Sequence, residues 1–129
     1  MTGLATPIDP PELPSSPAFA QGMVLPPGPT LFVGGQNGVD AEGTLLDGLG
    51  PQTEQALRNV LAVLAAAGSG PEHVAKLTIY LDPAVDADAA YAASAAVWRS
   101  RTSVTVLGVA PARPGALVEI EAVAAVPVG

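Results

Sequence analysis

The pattern of apolar and polar positions divides the chain into elements. "QTEQALRNVLAVLAAAG" places Leu57, Val60, Leu61 and Leu64 at i, i+3, i+4 and i+7, the stripe of a helix packed on one side. Pro51 suits its first turn, and Gly68 suits the position just past its end. "EHVAKLTIYL" alternates instead, with Ala75, Leu77, Ile79 and Leu81 on one face, and predicts a strand. "DPAVDADAAYAASAAVWRS" opens on Asp-Pro, is dense in Ala and predicts a second helix. "TSVTVLGV" predicts a strand, "APARPG" a turn, and "ALVEIEAVAAVPV" the last and longest strand. Nearer the start, "FAQGMVL" and "TLFVGGQ" flank "PPGP", most simply a hairpin. The order ββαβαββ predicts an α+β fold with both helices packed on one face of a sheet. Residues 1–16, rich in Pro and Ser, read as a mobile or surface-hugging tail ahead of a single domain over 17–129.

The last strand poses the functional question. Val118, Ile120, Ala122, Ala124 and Val126 share a wholly apolar face, while Leu117, Glu119, Glu121, Val123 and Ala125 share the other. The preceding strand likewise brings Arg101, Ser103, Thr105 and Leu107 together. A face that mixes apolar residues with a few charges fits an interface that also encloses a site. The competing account is a half-exposed sheet face with two solvated acids.

Composition narrows the classes. The chain has 129 residues, 49% hydrophobic and only 13% charged, so it is no disordered segment, and some of its apolar surface is expected to meet another subunit. A net charge of −7 with five Lys and Arg argues against binding nucleic acid through a basic groove. The absence of Cys excludes disulfides, thiolate metal sites and Cys nucleophiles. No apolar run approaches a membrane span, and the first residues lack the basic start and apolar centre of a signal peptide, so a cytoplasmic protein is expected.

Taken together, "FAQGMVL", "LFVGGQ", "QTEQALRNVLAVLAAAG", "VAKLTIYL", "RTSVTV" and "ALVEIEAVAAV" resemble the RidA/YjgF family, also called the L-PSP endoribonuclease family, in the family's order from Phe19 to Val126. The resemblance implies a chorismate-mutase-like fold packed as a homotrimer, with three equivalent clefts between subunits. It implies hydrolysis of 2-imino acids, or their enamine tautomers, to 2-oxo acids and ammonia, with no cofactor and no metal. By the same resemblance, Arg101 binds the substrate carboxylate and Glu119 handles the attacking water. Phe19 closes the cleft, while Ser103 and Gly35 shape the pocket. The residue types fit the chemistry. Arg offers a planar fork that grips a carboxylate in two places. A protonated imine carbon is already electrophilic, so water needs only positioning and a proton acceptor.

The sequence departs from the family's pattern near that cleft. Gly34 stands where many members have Ser, Phe19 replaces a frequent Tyr, the connection from Trp98 to Arg101 is short, and "LGVAPARPG" is long. These changes leave two alternatives to deamination: a trimer of the same fold that binds a small carboxylate without turnover, and the ribonuclease activity of the family's older name, which the charge opposes. Arg113 reads first as an exposed turn charge and second as a further anion clamp. Glu121 reads as an acceptor at the subunit interface, and His73 as a surface or turn residue. Tyr91 and Trp98, seven apart, read as core packing on one helix face. "VGGQNG" leads into no helix, so its glycines read as sites of close approach rather than a phosphate loop.

Overall fold

The computed structural model describes residues 4–128. Six strands, two helices and a short 3₁₀ turn follow one another: β1 (Thr6–Ile8), β2 (Gly22–Val24), β3 (Thr30–Asn37), α1 (Leu49–Ala66), the turn at Pro71–His73, β4 (Val74–Leu81), α2 (Ala87–Ala95), β5 (Ser103–Gly108) and β6 (Val118–Ala125). The expected order ββαβαββ is present from β2 onward, with β1 as an additional strand in front. Four strands form the main sheet in the order β3-β6-β4-β5. β6 lies antiparallel to both β3 and β4, whereas β4 and β5 are parallel. A parallel pair needs a crossover, and α2 supplies it.

Both helices lie on one side of this sheet. α1 packs on β3, β6 and α2 through Ala56, Leu57, Val60 and Leu64, all fully buried. Burying a Leu or Val side chain is worth about 1.5–3 kcal/mol, so this stripe is what holds α1 in place. Ala67 caps the helix, and Gly68 follows in the left-handed region that favours glycine (φ 75°). Asp86 caps α2, its side chain accepting from the Asp88 N–H at 3.0 Å. The two faces of β6 divide as alternation requires. Val118, Ile120, Ala122 and Ala124 are buried under the helices, and Glu119, Glu121 and Val123 are half-buried on the opposite face.

The predicted hairpin does not form. β2 pairs with β1, and β3 pairs with β6. Pro26, Pro27 and Pro29 fix φ and remove three backbone donors between the two segments, which disfavours a tight hairpin. β3 finds a longer ladder on β6, while Ala20 turns to Thr102, its N–H donating to the Thr102 carbonyl at 3.1 Å. Residues 4–16 of the Pro-rich segment contribute β1 and then run back along the start of β5; residues 1–3 and 129 lie outside the described residues.

Tyr91 is not a core residue. It is 51% exposed, and its ring meets Phe19 at 5.7 Å between centroids. A seven-residue spacing keeps one face only while the helix lasts, and α2 ends at Ala95. Trp98 does pack against the core, and its Nε1–H donates to Thr102 Oγ1 at 3.3 Å.

Candidate functional site

Arg101 stands just before β5, where the chain leaves α2 and re-enters the sheet. Its guanidinium is held by the N-terminal segment. Nε donates to the Ser16 carbonyl at 3.0 Å, Nη1 to Asp9 Oδ2 at 2.7 Å, and Nη2 to the Phe19 carbonyl at 2.9 Å. An Arg has five N–H donors, so two remain for a ligand. The charge-assisted bond to Arg101 holds the Asp9 carboxyl below the usual carboxylate range, aided by the Gln21 N–H, and Asp9 in turn raises the Arg101 pKa. Phe19 is 40% exposed beside this cluster. A groove of about 420 Å³ runs between the N-terminal segment and β5, lined by Ser16, Phe19, Lys76, Ser103 and Thr105 among others. The Ser103 hydroxyl donates to the Ala75 carbonyl, and Lys76 Nζ donates to Thr105 Oγ1 at 2.6 Å.

Glu119 sits elsewhere on the sheet. It faces Asn37 on β3 and Tyr80 on β4. Asn37 Nδ2 donates to Glu119 Oε1 at 3.4 Å and to the Val118 carbonyl at 3.2 Å. The ladder between β3 and β6 shifts register between Val33 and Gln36, and Gly35 lies in that irregularity. A Cβ on Gly35 would stand 2.0 Å from Glu119 Oε2, so the carboxylate occupies space that only glycine leaves open. Glu121, one step along the same face, accepts from the Tyr80 hydroxyl, and this bond raises the Tyr80 pKa.

The expected site residues therefore gather at two places. Arg101, Phe19 and Ser103 lie at the β5 end, and Glu119 and Gly35 lie on β6 and β3. In register, Glu119 stands level with Tyr80 and Leu107, so Arg101 lies two strands across and six residues back along β5. At about 4.8 Å per strand and 3.3 Å per residue, their Cα atoms are roughly 20 Å apart. No single small substrate spans that gap within one chain. Arg113 belongs to neither place, since its Nη2 donates to the Gly43 carbonyl at 3.0 Å.

Three residues beyond the expected set matter to these places. Asp9 occupies the Arg101 fork from 92 positions away. Lys76 places a cation in the groove beside Ser103 and Thr105. Phe32 is 75% exposed on the same sheet face, opposite Val123 on β6. Among the described residues, no group of three or more His, Cys, Asp and Glu side chains could hold a metal ion, and no helix is long and apolar enough to cross a membrane.

Comparison with known proteins gives a consistent picture. The sequence profile of the family described as endoribonuclease L-PSP matches residues 12–126. A crystal structure of a protein of unknown function of the conserved Rid family from Yersinia pestis is 32% identical, with a TM-score of 0.83, covering 94% of this chain and 98% of that one. RidA from the Antarctic bacterium Psychrobacter sp. is 25% identical, with a TM-score of 0.71 over 97% of this chain and 99% of the other. A RutC family protein of Aquifex aeolicus is 42% identical over 52 residues, which is 40% of this chain and 42% of that protein's length. A match that runs across both of these places and through the whole four-stranded sheet makes the chain a member of the endoribonuclease L-PSP family, also called RidA/YjgF.

Proposed function

We propose that the protein hydrolyses reactive 2-imino acids, or their 2-enamino tautomers, to 2-oxo acids and ammonia, in clefts where Arg101 of one copy meets Glu119 of the next. The observation that carries this reading is the separation itself. A cation fixed by three hydrogen bonds and an acid seated over Gly35 share one chain yet cannot share one small substrate. Two copies in head-to-tail contact would bring one of each together. The exposed Phe32 gives that contact an apolar anchor, and repetition around a threefold axis closes a ring with three equivalent clefts.

In such a cleft, the two remaining N–H groups of Arg101 hold the substrate carboxylate and orient the adjacent C=N carbon. Glu119 accepts a proton from water as the water oxygen bonds to that carbon and the C=N π electrons move to nitrogen. Glu119 then returns the proton to the amine nitrogen. The C–N bond breaks, ammonia leaves, and Glu119, again a carboxylate, takes the hydroxyl proton to give the 2-oxo acid.

The fixed Arg101 guanidinium also suits a second reading, a carboxylate binder without turnover. Asp9 already takes one arm of that fork, so a ligand must share it or displace Asp9. One assay separates the two readings. Imines are generated in situ from several amino acids with an oxidase, and their decay is followed with and without the protein. Deamination predicts faster decay and matching ammonia release. Carboxylate binding in calorimetry without faster decay would leave the binder.

A further inference from the structure

The two helices meet the sheet on different terms. α1 fills its inward stripe with Leu57, Val60 and Leu64, all fully buried. On α2 the corresponding stripe is Ala87, Ala90 and Ser94, spaced by three and four residues along one helix face. These short side chains leave a cavity of about 260 Å³ over Leu77, Ile79 and Val104 of the sheet. The cavity is continuous with the β5 end of the candidate site. Arg101 and Phe19 line it, and Arg101 Nη2 donates to the Phe19 carbonyl at 2.9 Å. Phe19 also lines the groove along β5, so one exposed ring borders both spaces. The charge is one-sided. Arg99 and Arg101 both line the cavity, and none of its described lining residues is acidic. An apolar space with cations on one side and no acid suits a molecule with an anionic head and a bulky apolar body.

We propose that this cavity receives the side chain of the substrate, and that the protein prefers 2-imino acids whose side chains are branched or aromatic. The inference rests on Arg101 as the anchor for the substrate carboxylate. In a 2-imino acid the carboxylate and the side chain are bonded to the same carbon. A carboxylate held by Arg101 therefore brings the side chain to the part of the cavity that Arg101 lines. That carbon is planar, so its two faces stay clear of both groups, and water activated by Glu119 of the next copy attacks from a face. Size supports the class. A dry engineered cavity of about 150 Å³ holds benzene, so a space of about 260 Å³ accepts a phenyl or isobutyl group. A methyl group would leave most of its wall without contacts.

Imines made in situ from alanine, leucine and phenylalanine with an amino-acid oxidase test this on the full chain. Each apolar carbon that fits such a pocket is worth about 10-fold or more in kcat/KM. The leucine- and phenylalanine-derived imines should therefore exceed the alanine-derived one by at least about 10-fold. Ala90→Leu fills the cavity and should lower that ratio by about 10-fold. If this variant fails to fold, Ala87→Leu, one turn earlier, carries the same readout. The products test the cavity without turnover. In calorimetry 4-methyl-2-oxopentanoate should bind at least about 10-fold tighter than pyruvate. If no imine is hydrolysed, deamination falls, and the two 2-oxo acids still decide the cavity. Equal kcat/KM for the three imines, equal binding of the two 2-oxo acids, or an unchanged ratio in a folded, cavity-filled variant would overturn the proposal and leave deamination standing.

Discussion

The two ends of the candidate site are built on opposite plans. At the β5 end, Arg101 is held by its own chain: a carboxylate and two carbonyls fix the guanidinium before any ligand arrives. On β6, Glu119 receives one long bond from Asn37 and gains its place mainly by the missing side chain of Gly35. The contrast fits a division of labour. A group that must hold a substrate benefits from a fixed geometry, and a group that must exchange protons needs oxygens left open.

Four changes probe that division. The largest effect is expected for Glu119→Gln, which keeps the shape but takes no proton from water at neutral pH. Imine hydrolysis should fall by about 10²-fold or more with the oligomer intact by light scattering, the usual scale for a positioned acid–base group. Arg101→Ala should weaken binding of a small 2-oxo acid by about 10- to 150-fold in calorimetry, as charge-assisted bonds are lost. Equal affinity in both proteins would move the anion site, with Lys76 in the groove the next cation to test.

Gly35→Ala sharpens the contrast further. The new Cβ displaces the Glu119 carboxylate without touching Arg101, so turnover should drop by about 10-fold while carboxylate affinity holds. The smallest effect belongs to Asp9→Asn. Removing a partly exposed ion pair should tighten carboxylate binding by no more than about fivefold, since the ligand no longer competes with a resident acid. Acid should act in the same direction. Because Asp9 has a lowered pKa in the fold, its clasp is fully in place above the ordinary carboxylate value of about 3.9 and is lost as pH falls through the depressed one. Amide exchange at Thr6 and Ile8 in wild type and Asp9→Asn reports that release.

What the sequence reveals follows the range of each interaction. The faces of β6 and the stripe of α1 are legible because they need only a local period. The partner of β3 is not, because β3 pairs with a strand near the other end of the chain and the intervening prolines give no hint of where it goes. The seating of Glu119 on Gly35 depends on a register shift that no spacing encodes. Asp9 is one of two acids in a Pro-rich segment, beside Glu12, and its use depends on a fold that closes 92 positions. Tyr91 is misread because its pairing with Trp98 assumes a helix three residues longer than α2.

The central claim is that a working cleft takes Arg101 from one copy and Glu119 from another. Mixing these two impaired variants, at substrate concentrations low enough that weakened binding limits turnover, tests it directly. Arg101→Ala and Glu119→Gln chains are unfolded together in equal amounts, refolded, and assayed for imine hydrolysis against each parent treated alone. If the cleft is shared, random assembly restores about a quarter of the sites, each with an intact Arg101 from one chain and an intact Glu119 from its neighbour. Activity no greater than the mean of the two parents, in oligomers shown to be mixed, would mean that both residues act within one chain and would contradict the shared cleft.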